Sequence, residues 1–158
     1  MSDVVANIAK GRIVEFYNRV KSNDPTNSAF IVVPILKGSM TDDQFRDADT
    51  LSAVLALCTE RAASGWSRKT LTDADLAALP APDDTNNRYD VDLPDQSWTP
   101  TNATHTVDAF LLCYDSDTTG GTDANILPLA KYDAPATITP DGLPIELRWD
   151  PAGFFRAS

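Results

Sequence analysis

"HTVDAFLLCYDSDTTGGTDANILPLAKYD", residues 105 to 133, sets two apolar segments on either side of a polar one. The flanks, "HTVDAFLLCYD" and "NILPLAKYD", are apolar almost throughout, as central strands covered on both faces would be. Between them Gly120 and Gly121 can take the positive φ that a hairpin connection needs. The polar segment also imitates another device. Asp115, Asp117 and Thr119 ahead of Gly120 match the alternating oxygen ligands that open a calcium loop. Such a loop requires a bidentate glutamate at its last ligand position, which here is Ile126. A phosphate cradle would need G-K-[ST] after the glycines and a less negative setting. The segment is therefore read as a candidate hairpin loop containing Asp115, Asp117, Gly120, Gly121 and Asp123, with no metal.

Alternation continues on both sides of it. "RYDVDL" places Tyr89, Val91 and Leu93 on one face, and "LPIELRWD" does the same with Leu143, Ile145, Leu147 and Trp149, which predicts two half-buried strands. The first half is spaced differently. Val5, Ile8, Ile13, Phe16, Tyr17 and Val20 fall on one side of a helix over residues 4–21, ended by Asn23-Asp24-Pro25. Leu51, Val54, Leu55 and Cys58 predict a second helix, with Asp47 or Asp49 as its cap and Leu55 in the core. "TDADLAALPAP" pairs Thr72 with Asp75 in capping-box spacing and stops at Pro80. "AFIVVPILK" is a strand apolar on both faces, in which Pro34 favours an edge or a bulge. The expectation is an α+β fold, with N-terminal helices packed on a mainly antiparallel β-sheet or β-sandwich. One domain spans 1–158, its residues 1–80 helix-rich and 81–158 a β-meander.

With 158 residues and 42% hydrophobic content, the chain can bury a sizeable core. Its net charge of -10 comes from 20 Asp against 3 Glu, and aspartate belongs in turns and caps, so the charge is expected in loops. This sign repels nucleic acid and anionic membrane. The longest strong apolar run, Phe30 to Leu36, is too short to span a bilayer, and no secretory signal pattern is present, so the expectation is a soluble chain made in the cytoplasm. Cys58 and Cys113 sit inside apolar segments and read as free buried thiols. His105, the single histidine, has no recognisable catalytic partner and reads as exposed. Ser67 lacks the following glycine of a nucleophile elbow. Cys and His are too scattered for zinc, and the aspartate pairs are adjacent residues that cannot face one another. No catalytic residue, metal or cofactor is assigned, and the chain is not read as an enzyme.

"TERAASGWSRKTL", "DVDLPDQSWT", "CYDSDTTGGTD", "NILPLAKYD" and "IELRWDPAGFFRAS" follow one another from Thr59 to the C-terminus. In that order and spacing they resemble a family of small structural proteins of tailed bacteriophages. The resemblance implies a virion component made in the host cytoplasm, a capsid decoration protein on the head surface. Its partners would be copies of itself and the major capsid protein, with no nucleic acid and no membrane. A neck or tail-associated position, or a carbohydrate-binding module with weak glycan binding, are the alternatives. Trp66, Trp98 and Trp149 could form a sugar-stacking platform, though a tryptophan more often belongs to a core or an interface, and Trp66 and Trp98 are taken as candidate interface residues. Phe154 and Phe155 are neighbours whose rings must face opposite sides if the last strand continues, so they are candidate anchors as well.

Overall fold

The computed structural model describes residues 3–79, 81–150 and 155–157, the last three by their backbone alone. In the first half they form β1 (Val4–Val5), a 3-10 turn (Asn7–Ala9), α1 (Ile13–Lys21), β2 (Ala29–Leu36), α2 (Asp42–Asp47), α3 (Leu51–Leu55), β3 (Thr59–Glu60), β4 (Lys69–Leu71) and α4 (Asp73–Leu76). Then come β5 (Tyr89–Val91), β6 (Gln96–Trp98), β7 (Val107–Asp115), β8 (Leu127–Ile138), β9 (Ile145–Leu147) and β10 (Phe155–Ala157). The fold is a mostly antiparallel sheet with a few short helices, broadly of the α+β kind.

The main sheet runs β1-β8-β7-β2-β3, with β4 also paired to β2. β7 and β8 are paired from Tyr114↔Leu127 beside the loop to Val107↔Ile138 at the far end, with register shifts between Val107 and Ala109 and between Leu112 and Cys113. A register shift between Leu112 and Cys113 leaves Leu129 surplus, because Leu112 faces Ala130 and Cys113 faces Pro128. Pro128 has no N–H for the ladder, and a bulge is where a strand accommodates such a residue.

β2 is internal, and Pro34 needs no edge. The N and C=O of one strand residue point the same way. Pro34 O accepts from Arg61 N at 2.9 Å, so its donorless nitrogen faces that side too. There β4, last paired at Val32↔Lys69, has ended, and β3 begins at Ile35↔Glu60. The missing bond falls in the gap between two short neighbours.

The predicted helix over 4–21 is corrected to Ile13–Lys21. Val4 and Val5 pair with β8, Ala6 N–H donates to Leu129 O at 2.9 Å, and Gly11 at φ 75° breaks any helix that would join the two parts. The second helix is capped by Thr50, whose side chain accepts from Ala53 N, and not by Asp47 or Asp49. Leu51 and Val54 are buried, while Leu55 is only half-buried. α2, held by a Thr41/Gln44 capping box, has no counterpart in the sequence reading. At α4, Thr72 N–H does donate to Asp75 Oδ2 at 2.8 Å.

Residues 81–158 are not a continuous meander. Only β7 and β8 join the main sheet, while β9 returns to β6 and β10 to β5 in two separate pairs. Four strands of the first half complete the main sheet. β9 is shorter than its alternation suggests, and Leu143 stands 63% exposed outside it.

Both sheet faces are covered. Phe30, Val32, Phe110, Leu112 and Tyr114 share one core with Ile13, Phe16, Tyr17 and Val20 of α1. Ala29, Ile31, Val33, Ile35, Ala109, Leu111 and Cys113 share another with Phe45, Leu51 and Val54 of α2 and α3. That is why β2 is apolar at every position and β7 is apolar from Ala109 to Tyr114.

Candidate functional site

Residues 116–126 connect β7 to β8, and their polar groups are occupied mainly by one another. Asp117 N–H donates to Asp115 Oδ1 at 3.0 Å, and Thr119 N–H and Oγ1 both donate to Asp117 Oδ1. Asn125 Oδ1 accepts from Thr122 N at 3.0 Å, and Gly121 sits at φ 80°. A Cβ on Gly121 would lie 3.0 Å from Asn125 Oδ1, so the bend needs glycine both for its φ and for space. These bonds hold the Asp117 carboxyl below its ordinary range, the Thr119 hydroxyl contributing most. Among the described residues no three Asp, Glu, His or Cys side chains gather as a metal-holding group.

Asp123 does different work. Arg68 reaches it through Nη1 at 2.6 Å and Nη2 at 3.0 Å, and reaches Glu60 through Nε and Nη2, both at 2.7 Å. One guanidinium thus makes two bidentate forks and clamps the loop to β3. Hydrogen bonding to Arg68 pulls the Asp123 pKa below its usual value. Leu51 N–H to Ile126 O and Ser52 N–H to Asp123 O fasten the same loop to α3.

Trp66 and Trp98 are each 2% exposed, which corrects their reading as interface or sugar-stacking residues. Their rings pack at 5.7 Å and both lie against Phe110. Each indole N–H is satisfied by a main-chain oxygen at 2.8 Å, Trp66 by His105 O and Trp98 by Ser67 O. Large amphipathic rings with satisfied N–H groups belong in a core. Gly65 makes the approach of this turn to β6 feasible, since a Cβ there would lie 2.4 Å from Thr99 O. Trp149 donates to Pro94 O at 3.1 Å. His105, expected to be exposed, is half-buried beneath this arrangement.

Phe154 lies outside the described residues. The backbone of Phe155 pairs with Val91, so Phe155–Ala157 adds a strand to β5 of the same chain. Cys58 and Cys113 are unpaired, the first half-buried and the second buried. Burial pushes the Cys58 thiol up to about 11 and Cys113 higher still, so neither is a ready nucleophile.

Two features went unseen in the sequence. Lys131 is fully buried, with Nζ 2.7 Å from Asp133 Oδ1 and 3.0 Å from Asp42 Oδ1, while Lys37 Nζ lies 3.1 Å from Asp133. This cluster ties β8 to the end of β2 and the start of α2. The other is a groove of about 350 Å³ between β8 and β9, with Phe110, Tyr132, Ile138 and Leu147 among its lining and Glu146 and Arg148 on it.

The fold is a mixed, mostly antiparallel one in which the polar groups of the β7–β8 loop and the indole N–H groups of Trp66, Trp98 and Trp149 are bonded within the chain. Comparison with family models, curated proteins and solved structures gave no match.

Proposed function

We propose that this chain is a structural component of a tailed-bacteriophage virion, a decoration protein that binds the outside of the assembled capsid. The observation that carries the reading is the ordered series of motifs from Thr59 to the C-terminus, taken with the use the fold makes of them. The tryptophans of three of these motifs, Trp66, Trp98 and Trp149, each donate an indole N–H to a main-chain oxygen of another segment. "CYDSDTTGGTD" forms a loop clamped by Arg68. Residues used this way brace a framework, which suits a part that folds alone and then docks. On this reading α1, packed on the aromatic face of the sheet, stiffens the same framework. The partners are the major capsid protein and further copies of the chain, and no catalysis is assigned to it. A neck or tail position is the alternative within the same class. A glycan-binding surface would have to use residues other than Trp66 and Trp98, which are buried.

Quantitative mass spectrometry of purified virions tests the reading. The expected result is a copy number matching the repeating unit of the shell. Absence from particles overturns it, and only a few copies per particle would move the protein to the neck or tail.

A further inference from the structure

We draw no further inference here: the strongest candidate, the groove of about 350 Å³ between β8 and β9, has its charged residues already engaged, Arg148 with Glu146 and Asp133 with Lys37 and Lys131, and nothing in the structure shows what covers its apolar lining.

Discussion

Toward α1 the central sheet presents rings: Phe30, Phe110 and Tyr114, packed with Phe16, Tyr17, Trp66 and Trp98. Toward α2 and α3 it presents aliphatic side chains and Cys113, with a cluster of two lysines and two aspartates at one end. The polar atoms on the aromatic side sit at the tips of large side chains, and those of the tryptophans reach main-chain oxygens without leaving the core. On the other side Lys131 has whole charge and no exposure, so only neighbouring carboxylates can offset its desolvation. The first face is sensitive to lost volume, the second to a lost counter-charge.

The strongest way to break this contrast is to empty the aromatic face. Trp98→Ala should cost about 3–5 kcal/mol in denaturant unfolding, through lost transfer energy and a residual cavity. A loss below about 1 kcal/mol would mean the rings are not what closes that face. On the other face Asp133→Ala should cost about 3 kcal/mol, because Lys131 loses the carboxylate at 2.7 Å and Lys37 loses the same partner at 3.1 Å. Adding Lys131→Met should recover much of that loss. If the double variant is no better than the single one, packing and not charge explains the effect.

Arg68→Ala should cost about 1–3 kcal/mol, since two partly buried carboxylates lose their donor. It should also alter the acid limb of the stability curve. Asp123 has a folded pKa depressed by Arg68, so its contribution is complete above the unfolded value of about 3.9 and fades as pH falls through the lower folded one. Melting curves recorded between about pH 2 and about pH 6 should show a shallower acid loss in the variant.

The smallest effect is expected at Tyr17, whose buried hydroxyl makes no hydrogen bond among the described residues. Tyr17→Phe should change stability at neutral pH by less than about 1 kcal/mol, or raise it. Burial pushes this phenol up to about 12. The unfolded chain ionises it near pH 10, so stability should fall between about pH 10 and about pH 12 in the native protein, with less loss in the variant.

The parts legible in the sequence are those fixed by neighbours in the chain. The apolar flanks of "SDTTGG" announced β7 and β8, the two apolar faces of residues 29–36 announced a covered strand, and Thr72 with Asp75 announced α4. What pairs at a distance was not legible. Val4 and Val5 have helical spacing with Ile8 and yet lie against β8, because an edge bond to Leu129 can be seen only when the sheet exists. Tryptophans look alike in sequence whether they bind or brace, and only the carbonyls above Trp66 and Trp98 tell them apart. Arg68 and Asp123 are 55 residues apart. Lys131 did leave a signal, since a lysine and an aspartate two apart in an otherwise apolar strand must share a face and a partner.

The surplus residue opposite Leu112 and Cys113 also sets the parity of β8. Leu127 stands beside Tyr114 on the aromatic side, and strict alternation from there would carry Lys131 and Asp133 to that side, opposite Phe110. Counting one residue twice against β7 reverses odd and even beyond Leu129, so Lys131 faces Leu111 and Asp133 faces Ala109. A single-residue deletion at Leu129 would therefore remove the bulge and leave the pairs on either side as they are, with Lys131 opposite Leu111, Asp133 opposite Ala109 and Tyr132 beside Trp149, its ring partner at 5.2 Å. Straightening the strand with Leu129 kept is what would turn the two charges toward the rings.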